Sequence, residues 1–209
     1  MSTDPVSGVT IACVVEGHGE VAALPVLLRR LVIERISPGS PPPNLPKPHR
    51  IPKGSLKAGL LEKAVAAAGN RVLGAGGILV LVDADDDCPG TEGPEWLARA
   101  RKARSDKPIA VVFAKREFEA WLLAGASSLA GKWGLSADLA APPTPEEVRG
   151  AKEWLTDRME GSRAYKETVD QPAMTAVLDL DEARAFSPSF DKLWREVERL
   201  VASAIEASP

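Results

Sequence analysis

The chain has little of the residues on which several protein classes depend. Only 2 of its 209 residues are cysteines, and neither Cys13 nor Cys88 belongs to a CxxC pair. This excludes a disulfide scaffold and gives no support to a zinc or thioredoxin-like redox site, so we expect both to be small apolar side chains beside strand ends. The longest uninterrupted apolar stretch, Gly76 to Val82, is about a third of what a membrane-spanning helix needs.

The chain also lacks a large excess of either charge. It has 26 Lys and Arg residues against 29 Asp and Glu residues, a net charge of -3. This balance argues against a protein that coats nucleic acid by bulk charge, although a local basic surface stays open. Because Met1 to Pro5 begins no basic-then-apolar leader, we expect a cytoplasmic protein without membrane association. The length and the 44% hydrophobic content predict a single domain over residues 1–209.

Three apolar, β-rich runs dominate the first part of the sequence. They cover Gly8 to Val15, Gly76 to Val82 and Ile109 to Ala114. Continuous apolar runs of this length are typical of parallel strands that are buried on both faces. The apolar spacing between and after them is helical, in the segments 21–36, 55–68, 96–104 and 115–123. The pattern predicts an α/β fold with a mainly parallel sheet flanked by helices.

The core strands are therefore expected within residues 8–126, and residues 127–209 are expected to be mostly helical. Thr144, Pro145 and Glu147 have the form of a capped helix start, which predicts a helix to about Met159. Further helices are predicted over residues 172–180 and from Ser187 to near the end of the chain. No internal repeat and no clear linker between autonomous halves is evident.

Acidic residues follow each of the three predicted strands. Carboxyl ends of neighbouring parallel strands meet at one edge of the sheet, where open α/β folds bind their ligands. Asp83 and Asp85 are two residues apart, so an extended backbone would direct both side chains to the same side. Clustered carboxylates favour a hard divalent cation such as Mg²⁺ or Mn²⁺, which would bind phosphate and activate water. The acids at these strand ends are Glu16, Glu20, Asp83, Asp85, Asp86, Asp87, Glu117 and Glu119.

Simpler interpretations exist for several of these acids. Glu20 could only complement the dipole at a helix start, and Asp86 and Asp87 could be solvated turn residues. Glu117 and Glu119 are two apart, and residues with that spacing do not share a helix face, so one of them could face solvent.

Basic residues gather in a proline-rich segment. Residues 37–52 contain seven prolines, and no acidic residue occurs between Glu34 and Glu62. The segment predicts an irregular loop, and its charge suits either contact with phosphate or simple solvation. The basic residues between Glu34 and Glu62 are Arg35, Lys47, Arg50, Lys53 and Lys57, with His49, and a second basic group that could guide a nucleic-acid backbone is Arg99, Arg101, Lys102 and Arg104.

Several common active-site motifs are missing. The turn Gly17-His18-Gly19 lacks the GKS or GKT ending of a phosphate loop, and no GxGxxG follows a strand. The sequence also contains no HExxH and no GxSxG. Classical nucleoside-triphosphate and dinucleotide sites, zinc peptidases and α/β-hydrolases therefore lose support.

The strand-end acids resemble the motifs of a Toprim domain, the metal-binding α/β module of topoisomerases, primases and OLD-type nucleases. Val14-Val15-Glu16-Gly17 is similar to its glutamate motif, and Asp83-Ala84-Asp85 to its Asp-x-Asp motif, with Asp87 as a further acid. More narrowly, VEGHGE, LVDADDD, REFEAWLLA, Tyr165-Lys166 and the segment 187–190 resemble a bacterial Toprim-like family of unknown function.

The resemblance implies a Mg²⁺ site with Glu16 as general acid/base and Asp83 and Asp85 as ligands. It also implies roles for Glu119 as another acid and for Lys166 as the basic residue near the scissile phosphate. A metal-dependent phosphodiesterase acting on DNA or RNA follows, and by analogy a role in a mobile element or in anti-phage defence. OLD-type nucleases carry an ATPase domain, so an ATPase partner on another polypeptide is a further expectation.

Two other functions stay open at this point. A non-catalytic Toprim-like subunit could bind a protein partner or nucleic acid without turnover. A metal-dependent transferase of nucleotides or nucleotide-sugars could use the same Asp-x-Asp pair, because a metal on that pair can hold a diphosphate equally well.

Overall fold

The structure is a computed structural model, and it describes residues 8–206. Met1 to Pro5, for which the sequence predicts no leader, lie outside the described residues. The described residues form one four-stranded sheet in the order β2-β1-β3-β4, and every neighbouring pair in it is parallel. The strands are β1 (Thr10–Val15), β2 (His49–Arg50), β3 (Gly76–Asp83) and β4 (Ile109–Ala114). The predicted α/β fold with its mainly parallel sheet is confirmed, including all three apolar strands.

Strand β2 corrects the prediction that the proline-rich segment is entirely irregular. His49 pairs with Val14 and Arg50 with Val15, and the Ile51 amide donates a hydrogen bond of 2.8 Å to the Val15 carbonyl. Prolines cannot donate to a sheet and are therefore tolerated at its edges. The two non-proline residues can pair there, so the segment ends as a short edge strand.

Helices cover both faces of the sheet and form the C-terminal part of the chain. Helix α1 continues into a π-helical turn, Leu31–Ile36, and a second π-helical turn, Leu56–Leu60, joins α2 to α3. The α-helices are α1 (Glu20–Arg30), α2 (Lys53–Ser55), α3 (Leu61–Gly69), α4 (Pro89–Ala103), α5 (Glu119–Ala124), α6 (Ala151–Thr156), α7 (Glu167–Thr175), α8 (Leu180–Phe186) and α9 (Pro188–Glu206).

Alternate residues of the strands divide the apolar interior into two cores. Ile11, Leu79 and Val112 represent the face that packs against α1, α5 and α9, and α7 packs on the outer side of α1. The strand residues that alternate with these, such as Ala12 and Val80, face α3 and α4 on the opposite side of the sheet. Because both faces of the sheet are covered, its carboxyl edge is the side from which polar side chains reach solvent.

Two predicted helices differ from the observed ones. Only a 3₁₀ turn, Pro145–Glu147, follows Thr144, because Glu146 accepts hydrogen bonds from the Ser187 hydroxyl and the Ser189 amide of another segment. Helix α6 begins at Ala151, separately from this 3₁₀ turn. The predicted helix over residues 172–180 is instead α7 and α8, separated by a break in which the Asp179 carboxylate caps α8. The predicted C-terminal helix is confirmed as α9.

Among residues 8–206, no helix combines the length and apolar character required to cross a membrane. Cys13 is buried in β1, as expected, whereas Cys88 is exposed where α4 begins.

Candidate functional site

The carboxyl ends of β1 and β3 bring together acids that are far apart in sequence. Glu16 directly follows β1, and its Oε1 accepts a hydrogen bond of 3.2 Å from the Asp83 amide at the end of β3. Asp83 Oδ1 in turn accepts a 2.9 Å hydrogen bond from the Phe118 amide, just before α5. Both side chains therefore tie neighbouring chain segments together at the edge where α/β folds bind ligands.

Glu20 lies close to this pair because its side chain folds back over the turn after β1. A Cβ on Gly17 would lie 2.2 Å from Glu20 Oε2, so a larger residue there would displace the Glu20 carboxylate. Glu20 is 4% exposed. Two of the carboxylate oxygens here, Glu16 Oε2 and Glu20 Oε2, are buried and have no hydrogen-bond partner within the described chain. Such oxygens are costly unless a proton or a cation compensates them.

Burial and mutual repulsion raise the pKa values of these acids. Burial raises the pKa of Glu16 above its ordinary value. Burial, followed by the charges of Glu119 and Glu167, raises the pKa of Glu20 to about 7. The pKa of Asp83 lies well above its usual range, first through burial and then through the charges of Glu20, Glu16 and Glu119. A bound cation would remove the repulsion and release protons.

Glu119 is the most buried acid of the group, with 0% exposure. Its Oε1 accepts hydrogen bonds from the Tyr165 hydroxyl at 2.9 Å and from Gln171 Nε2 at 3.1 Å. Its Oε2 lies 2.9 Å from Lys152 Nζ. Burial raises the pKa of Glu119, whereas the Lys152 charge and the hydrogen bonds lower it. Glu119 is thus held by partners from α6 and α7 and by Tyr165, which precedes α7.

Glu117 contacts the same lysine as Glu119, whereas the spacing of the two glutamates had left open that one of them faces solvent. Glu117 Oε2 lies 2.7 Å from Lys152 Nζ, and Glu117 Oε1 accepts a 2.7 Å hydrogen bond from the Ala151 amide at the start of α6. The helix-face argument does not apply because α5 begins at Glu119 and Glu117 lies in the turn before it.

Asp85 and Asp87 diverge from the buried acids. Strand β3 ends at Asp83, and Asp85 has a left-handed backbone with φ of 51°, so the extended spacing assumed for the Asp-x-Asp pair is wrong. Lys53 Nζ lies 2.8 Å from Asp85 Oδ2 and 3.0 Å from Asp87 Oδ2. Lys57 Nζ contacts Asp87 at 2.7 Å. Two ammonium groups therefore neutralise the outer acids.

The lysine in contact with Glu117 and Glu119 is Lys152, and Lys166 does not take this position. The Lys166 side chain is exposed, and its backbone amide donates a 2.7 Å hydrogen bond to Asp170. Lys152 lies in a segment that looks like an ordinary amphipathic helix, so no local signal distinguishes it from other helical lysines. A signal for Tyr165 did exist in the sequence, because the Tyr165-Lys166 dipeptide is one of the segments that carry the family resemblance.

Two arginines line a pocket together with several acids of the cluster. A pocket of about 270 Å³ is lined by Asp83, Asp85, Asp86, Arg116, Glu117, Arg149, Gly150 and Lys152. Both arginines pair with Asp86, Arg116 at 2.5 Å and Arg149 at 2.9 Å. Guanidinium groups bind carboxylate and phosphate oxygens well, and Asp86 engages both of these arginines.

The donor chemistry suits Mg²⁺ or Mn²⁺, which prefer carboxylate oxygens. Glu16, Glu20 and Asp83 could supply those oxygens, since two of them carry buried oxygens without a partner. Within residues 8–206, however, no three Asp, Glu, His or Cys side chains already form a closed metal-binding group. Binding would therefore require side-chain rotation towards a shared point.

The fold and the site define an α/β protein with a carboxylate cluster at the carboxyl edge of a parallel sheet. A family model described as "Domain of unknown function (DUF4276)" matches residues 15–198, which is most of the chain. The chain belongs to this family. A search of the curated proteins found no match, and a search of the solved structures found none either.

Proposed function

We propose that this protein is a Mg²⁺-dependent, Toprim-like phosphodiesterase acting on nucleic acid. The observation that carries the proposal is the pair of buried, unpartnered oxygens of Glu16 and Glu20 beside Asp83. Their arrangement leaves negative charge that a divalent cation would neutralise. Arg116 and Arg149, which line the same pocket as Asp83, support an anionic substrate.

In this proposal Glu16, Glu20 and Asp83 hold the metal. When bound, the metal supplies charge for a phosphate oxygen and lowers the pKa of a water molecule. Glu16 serves as general acid/base, since it lies beside Asp83 and burial raises its pKa above the ordinary value. Lys152 is better placed than Lys166 for the basic role, because it already contacts two of the acids.

Asp85 and Asp87 have a conditional role in the proposal. Each would have to leave Lys53 or Lys57 before it could reach a metal. Glu119, which is held by Tyr165, Gln171 and Lys152, contributes by positioning Lys152 and by adding negative charge near Asp83.

A cleavage assay tests the proposal. Plasmid, single-stranded DNA and RNA would be incubated with Mg²⁺, Mn²⁺ or EDTA and with the wild-type, Glu16→Gln and Asp83→Asn proteins. Asp157→Asn is the matched control, because Asp157 is exposed. We expect metal-dependent cutting by the wild type and the control, and a loss of at least about 100-fold in both site variants.

Absence of cutting by the folded wild type with every substrate and metal would overturn the proposal. A non-catalytic subunit, with an ATPase or another protein as partner, would then be the function to pursue. Thermal stabilisation by a nucleotide with Mg²⁺, but not by oligonucleotides, would favour a nucleotide or nucleotide-sugar transferase instead.

A further inference from the structure

A second pocket lies on the β2 side of the sheet, next to the acidic cluster. It has a volume of about 410 Å³ and is lined by His18, Val21, Lys47, Pro48, His49, Arg50 and Arg71. Both histidines of the chain are among these residues. None of the described residues that line the pocket is acidic. We call it the basic pocket.

Three separate chain segments build the basic pocket. His18 belongs to the turn after β1, Lys47 to Arg50 include β2, and Arg71 follows α3. Arg71 Nη1 donates a 2.6 Å hydrogen bond to the Lys47 carbonyl, which joins the second and third segments. Arg50 Nη1 donates a 3.2 Å hydrogen bond to the Glu16 carbonyl, which joins the second to the first. The pocket is thus anchored directly to a residue of the acidic cluster.

The cations of the basic pocket differ from those nearby in having no acidic partner. Lys53 and Lys57 are paired with Asp85 and Asp87. Within the described part of the chain, Lys47, Arg50 and Arg71 take part in no salt bridge to an acidic side chain. Three positive charges therefore face one cavity in a protein whose net charge is -3.

We propose that the basic pocket binds a phosphate group of the nucleic-acid substrate, on the same strand as the phosphate at the acidic cluster. The inference rests on the proposed function and adds a second contact point to it. Guanidinium, ammonium and imidazole groups all donate hydrogen bonds to phosphate oxygens. Because Arg50 bonds to Glu16, the pocket and the cluster are held in a defined relation. Phosphate binding here would orient the strand across the sheet edge.

Fluorescence anisotropy in EDTA tests the pocket without requiring catalysis. The probes are labelled single-stranded DNA, duplex DNA and RNA, with inorganic phosphate and a nucleoside monophosphate as competitors. The test variant is Lys47→Gln/Arg50→Gln. The matched control is Arg29→Gln/Lys63→Gln, which removes two exposed charges, one from α1 and one from α3.

We expect the wild type and the control to bind at least one nucleic acid with affinity that falls as salt rises. The test variant should bind about 10-fold more weakly, with a salt slope smaller by about two. Circular dichroism would establish that both variants are folded.

Equal binding by the test variant and the wild type, or no binding by the wild type, would overturn the pocket proposal. A wild type that binds inorganic phosphate but none of the oligonucleotides would also overturn it, because the pocket would then be a site for a free anion. If the cleavage assay shows no cutting, the binding result can still be interpreted, since binding is measured without metal. Conversely, metal-dependent cutting with an unchanged KM in the test variant would refute the pocket and preserve the proposed function.

Discussion

Lys152 Nζ lies 2.9 Å from Oε2 of Glu119, a glutamate whose side chain has no solvent exposure. The two residues are 33 positions apart, and the lysine also contacts Glu117 at 2.7 Å. A charged carboxylate at such depth is tolerated only with compensating partners. This ion pair therefore connects the acidic site to the helical C-terminal part of the chain.

Replacing Lys152 with methionine should destabilise the protein. The change leaves Glu119 buried without its cation, which should cost about 2–4 kcal/mol in the free energy of unfolding at pH 8. At pH 5 the cost should be smaller, because Glu119 can then take up a proton. Urea unfolding at both pH values would measure it. Lys192→Met is the control, since Lys192 is 48% exposed and pairs at the surface with Glu196, so its loss should cost below about 1 kcal/mol. Equal effects of the two variants would contradict the assigned role of Lys152.

Glu20 should make the stability of the metal-free protein fall with rising pH. Burial, followed by the charges of Glu119 and Glu167, raises its pKa from 4.5 to about 7, so the folded state binds the proton more tightly than the unfolded state. The stability that this proton provides is complete below about pH 4.5 and lost above about pH 7, a change of up to about 3 kcal/mol.

Glu20→Gln keeps the side chain neutral at every pH. We expect the variant to be more stable than the wild type at pH 8 in EDTA and similar to it at pH 4.5. Urea unfolding across this range is the measurement, with Glu198→Gln as a control at an exposed position. Stability curves of wild type and Glu20→Gln that run parallel would show that Glu20 does not titrate in this range.

Lys53 should oppose metal binding if the proposed function is correct. Its ammonium donates to Asp85 Oδ2 and to the Ala84 carbonyl, both at 2.8 Å, and thus occupies oxygens at the site. Lys53→Met should increase the affinity for Mn²⁺ by about 10-fold, equivalent to about 1.4 kcal/mol. Calorimetric titration would measure this, and Lys57→Met, which frees only Asp87, should have a smaller effect. Weaker Mn²⁺ binding by Lys53→Met than by the wild type would contradict this competition and would indicate that Lys53 holds the metal-binding side chains in place.

Two glycines should respond to alanine in opposite directions. At Gly76 the φ angle is +155°, and a Cβ would lie 2.0 Å from the Thr10 carbonyl oxygen of β1. Gly76→Ala should therefore destabilise the protein by about 2 kcal/mol or more. Gly93 lies within α4, and a Cβ added there would have no atom within 4 Å, so Gly93→Ala should stabilise by about 0.5–1 kcal/mol. Thermal unfolding of both variants checks the pair, and a neutral Gly76→Ala would contradict the close β1–β3 approach.

The strands could be predicted because their signal is local. A strand buried on both faces must be apolar at every position, as in Ile109 to Ala114, and this pattern is visible without knowledge of the partners. The same holds for α9, whose apolar stripe repeats over 19 residues. The order of acids at strand ends then followed from the geometry of parallel sheets, and it pointed to Glu16 and Asp83.

Other features depend on contacts between distant segments and have no local pattern. β2 forms because residues 49 and 50 pair with the free edge of β1. The surrounding prolines hide any strand pattern in the sequence of this segment. The start of α6 is set by Glu117, 34 residues earlier in the chain. Neither could be inferred from the sequence around it.

The chain's own pattern of apolar runs and strand-end acids thus establishes the α/β fold, the parallel sheet and the edge at which the acids lie. Folding in three dimensions assigns the partners: Lys152 to Glu119, Lys53 to Asp85, and Arg50 to the carbonyl of Glu16. The physical reason is that periodicity reports which face of an element is buried, whereas ion pairing depends on which side chains meet after packing.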